Sequence, residues 1–325
     1  MHLEQIIQLK NILDKIRPLN EKVLSNLDEW MSVELTYSSN AIEGNTLTRK
    51  ETALILEKGL TISGKPLKDH LEATNHKDAL SYVKSLIDKR GVDENDILKI
   101  HTFILSSIDH IYAGVYRDIP VRISGSPVIL PNYAKVPHLM KALIESITNT
   151  QDNPVICAIK AHYDFVSIHP FVDGNGRTGR LLMNMILMQN GYPPAIISPK
   201  DRIFYLKYLE KAQLGGDISD YYHFMQKAVL KSLKIYINAI EGKPTKMITS
   251  EEELLKIGEL SKKTQETVPT LRHWIKIGLI QVTRTTPSGY QLFDMQQIDN
   301  CKKIRSLQEQ RFTLEEILNQ LHAVD

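Results

Sequence analysis

Cysteine is nearly absent: two residues in 325, Cys157 and Cys301, lie far apart and form no C-x-x-C pair. That excludes a disulfide framework and a cysteine-based zinc finger, and it makes a reducing cytoplasm the expected compartment. Long apolar runs are missing as well. No stretch approaches the roughly 18 residues of a membrane span, and the opening MHLEQIIQLKNILDK is amphipathic rather than a signal core. Membrane-spanning, secreted and fibrous classes are therefore not expected. Nor is there an excess of charge: 40 Lys and Arg against 38 Asp and Glu leave +2, so no single-sign field draws the whole molecule to nucleic acid. Repeats and low-complexity tracts are absent, and 42% apolar with 24% charged residues is ordinary globular composition for two or three domains.

What the chain does contain is helical periodicity. Thr48-Arg49-Lys50-Glu51 reads as a capping box, with Gly59 as the stop of the helix that follows. Helices are expected over about 67–89 and 94–107, from about 137, from 154, and over 218–240. Between them, GVYRDIPVRISGSPVIL alternates around Gly125-Ser126 and reads as a short β-hairpin. The polar segment EGKPTKMITSEEE is the best linker. The expected organisation is mainly α, with an N-terminal helical region (1–92), a helical core (93–242) and a small module (248–325).

The most informative segment is 168–180, IHPFVDGNGRTGR. Pro170 and Gly174-Asn175-Gly176 interrupt two helices, and the second is expected to begin near Arg177. Gly-Asn-Gly before a helix lets consecutive backbone N–H groups converge on an anion without Cβ obstruction. Arg177 and Arg180 share a face in the first turn, where each opposes the helix dipole by a few tenths of a kcal/mol. Two cations held there against the dipole indicate a strongly negative ligand. Asp173 offers a hard oxygen to a divalent cation, and His169 is the nearby side chain suited to move a proton at neutral pH. Together they suit transfer of a phosphoryl-containing group to a hydroxyl. No GK[ST] follows, so a Walker loop is excluded, as are the kinase HRD and DFG signatures.

HPFVDGNGRTGR resembles, at every fixed position, the Fic-family signature H-P-F-x-[DE]-G-N-G-R-x-x-R, and the similarity covers about residues 1–240. The resemblance implies an all-helical fold with one β-hairpin flap and transfer of AMP from ATP to a Tyr, Thr or Ser hydroxyl of a target protein. His169 would then be the general base and Asp173 the Mg²⁺ ligand. Gly174, Asn175, Gly176, Arg177, Thr178, Gly179 and Arg180 would hold the nucleotide phosphates. Tyr205 and Gln213 fall near the family's adenine-side Tyr and Asn. The flap, with Arg122, Ile123, Val128 and Ile129, would clamp the target by strand addition. The resemblance also suggests a dimer. Relatives with a kinase, other nucleotidyl or phosphocholine transfer activity, or removal of AMP, are the alternatives. A DNA-binding regulator with a nucleotide-sensing core is the alternative outside enzymes.

SSNAIEGN (38–45) is the second unusual segment. Ser39 and Glu43 lie four apart on one helix face before the stop at Gly44, and a glutamate at a helix C-terminus opposes the dipole. S-x-x-x-E-[GN] resembles the family's inhibitory motif, which implies that Glu43 pairs with Arg180 and crowds out the γ-phosphate.

Residues 248–325 read as helix–turn–helix followed by a hairpin, a winged helix. The stretches IGELS, TLR, IGLI and GYQLF are similar to the DNA-binding head of MerR-type regulators. Pro269 stands where an Arg usually opens the second helix, and Gln291 replaces a wing Arg. From 248 to 325 the count is 10 basic to 11 acidic residues, net −1. Between 262 and 284 it is 5 to 1, with Lys262, Lys263, Arg272, Lys276 and Arg284 as the candidate phosphate contacts. DNA binding, protein docking and dimer packing stay open for this module, with Trp274 in its core. His101, His162 and the run Met183, Met185, Met188 read as core.

Overall fold

The computed structural model describes residues 2–89, 91–242, 255–285, 290–293, 296–310 and 312–322. The chain divides into two compact units, Met1–Ile248 and Thr249–Asp325.

The described residues of the first unit form a bundle of α-helices: α1 (His2–Ile16), α2 (Glu21–Ile42), α3 (Arg49–Lys58), α4 (Leu67–Ser85), α5 (Glu94–Leu105), α6 (Val136–Thr148), α7 (Pro154–Ile168), α8 (Asn175–Gln189), α9 (Arg202–Gln213) and α10 (Ser219–Ile240). Local chemistry sets many of the ends. Thr48 forms the expected capping box with Glu51, Asp93 forms another with Asp96, and Gly59 closes α3 in the left-handed region. Pro154 opens α7 at a position where a missing N–H costs nothing.

Helices α7 and α8 form the central antiparallel pair. Phe165, Leu181, Leu182, Met183 and Met185 are fully enclosed between them and their neighbours. A single core joins Ile6 and Leu13 of α1, Met31 and Leu35 of α2, and Ala79, Leu80 and Val83 of α4 to α5–α10. The N-terminal helices therefore belong to the same packed body as the motif. Helix α4, charged by sequence, buries Asp69, Glu72, Asn75 and His76 as well as its apolar residues.

The segment expected as a hairpin keeps its turn, with the Ser126 N–H donating to the Ile123 carbonyl at 3.2 Å, but its two extended arms form no strand ladder. Pro127 follows the turn, with Pro120 and Pro131 at the two ends, and each removes a donor that a ladder needs. The alternation survives: Arg122 and Ile129 are exposed, Ile129 at 92%, while Ile123 and Val128 are half-buried.

The second unit contains β1 (Leu255–Lys256), α11 (Ile257–Thr264), α12 (Val268–Lys276), β2 (Arg284–Thr285), β3 (Gln291–Phe293), α13 (Gln296–Glu309) and α14 (Leu314–His322). The strands form an antiparallel sheet in the order β1-β3-β2, with Leu255 opposite Phe293 and Arg284 opposite Leu292. Leu260, Leu271, Trp274, Phe293, Ile304 and Ile317 make its core. At two residues, β1 is too short to show a period in the sequence. No helix among the described residues is long and apolar enough to cross a membrane.

Candidate active site

The site is built on the loop between α7 and α8. Helix α7 ends at His169, which takes the left-handed conformation (φ 52°, ψ 60°) that a non-glycine residue rarely adopts. The loop then closes on itself through Asn175. Its Oδ1 accepts the Phe171 N–H and its Nδ2 donates to the Phe171 carbonyl, both at 2.9 Å. Gly174, at φ 78°, makes the turn into α8, which begins at Asn175 rather than near Arg177. A side chain at Gly174 would come within 3.2 Å of His101.

His101 turns out to be part of the loop's support. Its ring stacks on Phe171 at 3.5 Å, its Nδ1 accepts the Gly114 N–H at 2.9 Å, and its Nε2 lies 2.9 Å from the Asp173 carbonyl. These partners fix the neutral tautomer with the proton on Nε2. Burial pushes its pKa down to about 4. His162 is likewise buried but paired at both nitrogens, with the Tyr221 hydroxyl at 2.6 Å and the Tyr205 hydroxyl at 3.0 Å.

Burial also pushes the pKa of His169 down to about 4, against the opposing pull of a hydrogen bond to the Val166 backbone. The imidazole is neutral at physiological pH and free to accept a proton. Asp173 is 60% exposed at the loop's edge; its Oδ1 accepts the Gly174 N–H at 2.6 Å and its Oδ2 is 3.6 Å from Arg177.

Both arginines point inward and are buried. Arg177 Nη1 donates to Glu72 Oε1 at 3.0 Å, and the other Glu72 oxygen accepts Asn45 Nδ2 at 2.9 Å. Arg180 donates through Nε to Ser39 Oγ at 3.0 Å, and through Nη2 to the Ser39 carbonyl at 2.9 Å and Glu43 Oε1 at 2.7 Å. Burial alone would lower its pKa, but Glu43 and Tyr205 hold it above the ordinary value. The Glu43 carboxylate thus lies at the amino end of α8. A methyl at Gly176 would overlap its Oε1 and come within 3.1 Å of Arg180 Nη1, so only glycine admits it there. Glu43 itself caps the C-terminus of α2, and Arg202 anchors that end by donating to the Ile42 carbonyl at 2.5 Å.

Two regions of the chain match known families: residues 91–187 match the Fic/DOC family, and residues 255–323 match the MerR HTH family regulatory proteins. The structure of a Fic-1 fragment from C. elegans is 32% identical, with a TM-score of 0.66, covering 74% of this chain and 73% of that one. The chain belongs to the Fic family. A Fic domain containing signaling protein from Bacteroides thetaiotaomicron is also similar, at 29% identity and a TM-score of 0.68, over 74% of this chain and 99% of that one. Curated relatives include the protein adenylyltransferases Fic of Drosophila grimshawi, 35% identical over 72% of this chain and 49% of that protein, and Drosophila melanogaster, 38% identical over 67% and 45%. The chain spans about half the length of these curated relatives.

The Fic loop thus brings together His169, Asp173, Gly174–Arg180, Ser39 and Glu43. Thr178 is buried beneath it, and Gly179 packs against Phe165 and Val166. Tyr205 is buried behind Arg180 with its hydroxyl on His162, presenting no open face, and Gln213 bonds Ser167 Oγ at 3.1 Å. In the second unit Lys262, Lys263, Arg272 and Lys276 are exposed, while the Arg284 side chain lies outside those described. Sequence reading missed Glu72, Asn45, Arg117 and Arg202. All four act across long sequence separations and carry no local signature.

Proposed function

We propose that this protein transfers AMP from ATP to a Tyr, Thr or Ser hydroxyl of a target protein and of itself, and that Glu43 holds it largely off. The observation that carries this reading is the Glu43 carboxylate seated at the amino end of α8, on Arg180 and over Gly176. An anion seat made of a helix N-terminus, a bare glycine and a buried arginine suits a nucleotide phosphate. A side-chain carboxylate already in that seat competes with one.

In the transfer, neutral His169 takes the proton from the target hydroxyl. The oxygen forms a bond to the α-phosphorus, the bond from that phosphorus to the bridging oxygen breaks, and pyrophosphate leaves. Arg177 and Arg180, fixed on one helix, orient the departing phosphates and need no reorganisation as charge develops.

Among the described residues no cluster of three metal-ligating side chains exists. Asp173, exposed and with one oxygen free of backbone donors, fits Mg²⁺ held largely by phosphate and water rather than by a protein cage. Bound there, Mg²⁺ would neutralise phosphate charge. The second unit, by its similarity to MerR regulators and its exposed cations, supports DNA as a further partner. Free, buried Cys157 and Cys301 support a cytoplasmic location.

The test is intact mass spectrometry after incubation with ATP and Mg²⁺, on wild type, Glu43→Gly and Glu43→Gly/His169→Ala. An AMP-sized gain in Glu43→Gly alone is expected. A phosphate-sized gain would make the enzyme a kinase, and equal incorporation in wild type and Glu43→Gly would remove the inhibitory role of Glu43.

A further inference from the structure

Arg117 is 3% exposed, yet it has no carboxylate partner among the described residues. Every donor contact it makes is to a backbone carbonyl. Nε donates to His169 at 2.8 Å, Nη2 to Pro131 at 2.6 Å and Nη1 to Ile119 at 3.4 Å, while its own backbone N–H donates to Pro170 at 2.9 Å. A buried guanidinium without a counter-charge is costly to keep, and burial lowers its pKa accordingly.

Its acceptors fall into two groups. His169 and Pro170 belong to the loop that carries the proposed base, with His169 held in the left-handed conformation. Ile119 and Pro131 are the two ends of the exposed segment with its turn at 124–125. The arms of that segment form no ladder, so their spacing is not set by pairing with each other. It is set at the base, where one planar fork spans both ends. An ammonium cannot replace it: a point charge on a flexible stem does not reach three carbonyls in fixed directions.

We propose that Arg117 is a positioning residue that ties the docking segment 119–131 to the His169 loop and so sets where a bound target hydroxyl meets the base. The proposal rests on the AMP-transfer reading and adds to it a coupling between target docking and the base. Arg117 touches no nucleotide seat: Gly176 and Arg180 are contacted by Glu43 and Ser39, not by it.

The experiment uses the full chain carrying Glu43→Gly, with Arg117→Gln and Arg117→Lys added separately. Two readouts are taken. The first is AMP incorporation beside the affinity for ATP. Incorporation is expected to fall about 100-fold, as a displacement on the order of 1 Å does, with ATP affinity within about twofold and no rescue by lysine. The second is amide hydrogen exchange, which does not need activity. Exchange at 119–131 and 169–173 is expected to rise while α7 and α8 stay protected. Unchanged exchange at both segments overturns the clasp, even if the Glu43→Gly parent transfers no AMP and the activity reading itself has failed. Full incorporation by Arg117→Gln overturns the positioning role, and so does a parallel loss of ATP affinity.

Discussion

Arg177 and Arg180 lie three residues apart on the first turns of one helix, and each meets a glutamate from the N-terminal helices. The two pairs differ in their acids. Glu72 is 8% exposed, sits mid-helix on α4, and has both oxygens engaged, by Arg177 and by Asn45. Glu43 is 38% exposed, caps the last turn of α2, and uses one oxygen on Arg180. A buried ion pair with every oxygen satisfied has no alternative partner and acts as a fixture of the fold. A half-exposed carboxylate at a helix end can leave at little cost when a better anion arrives. Under the proposed inhibition, the same pairing chemistry is structural in one case and exchangeable in the other because of what surrounds the acid.

Breaking each pair separates the two roles. Glu72→Ala leaves buried Arg177 with only the exposed Asp173 carboxylate, 3.6 Å away, as counter-charge and is expected to cost about 3 kcal/mol of stability, read by chemical denaturation. Glu72→Gln, which keeps a hydrogen-bond acceptor, should lose less. Glu43→Gly removes a half-exposed acid and leaves buried Arg180 on the Ser39 hydroxyl and carbonyl, so it is expected to cost less stability than Glu72→Ala. It should instead raise AMP incorporation on the order of 10–100-fold, the usual range of a coupling between two ligands competing for one state. If Glu43→Gly destabilised as much as Glu72→Ala, the two acids would be alike and the distinction would fall.

The Arg180 side of this comparison was legible only in part: the resemblance to the inhibitory motif implied the pairing of Glu43 with Arg180, while the residues themselves gave the loop and the shared helix face. Histidine, proline, glycine and asparagine announce a loop by their own backbone chemistry, and the spacing of Ser39 and Glu43 marks one helix face. The Arg177 side was not legible. Glu72 lies in a charged stretch, HLEATNHKDAL, and is buried because α4 packs against α2, α5 and α8. Arg117 was hidden for the same reason, since its acceptors are carbonyls and carry no side-chain signature. The segment 119–131 shows the reverse limit. Its alternation was readable, but whether two arms pair depends on their spacing and on prolines that withhold donors.

The buried arginines also act on their surroundings. His76 on α4 accepts or donates to Thr36 at 3.0 Å, and burial, reinforced by Arg180 and Arg177, pushes its pKa down to about 3. The unfolded chain titrates near the ordinary value of about 6.5. Below that pH it takes up a proton that the folded chain refuses, so stability is lost as pH falls from about 6.5 toward 3. His101, His162 and His169, all lowered by burial, act in the same direction. Replacing His76 with Gln should remove about 1 kcal/mol of the stability difference between about pH 7 and 5.5. An unchanged pH slope would show that His76 titrates normally in the folded chain.

The smallest expected effect concerns cations that meet no acid among the described residues. Arg272 and Lys276 lie one helical turn apart on α12, exposed and without an ion pair among the described residues. Arg177 and Arg180 are held by glutamates, whereas solvated cations on a helix surface suit a polyanion that releases counterions on binding. If DNA is that polyanion, each phosphate contact contributes about 0.9 to the slope of log affinity against log salt. Arg272→Ala/Lys276→Ala should then lower that slope by about 2, with affinity falling similarly across unrelated sequences. Fluorescence anisotropy with duplex DNA at several salt concentrations measures it. A slope that the double substitution leaves unchanged would mean these cations touch no phosphate, and the winged helix would then be a protein-docking module rather than a reader of DNA.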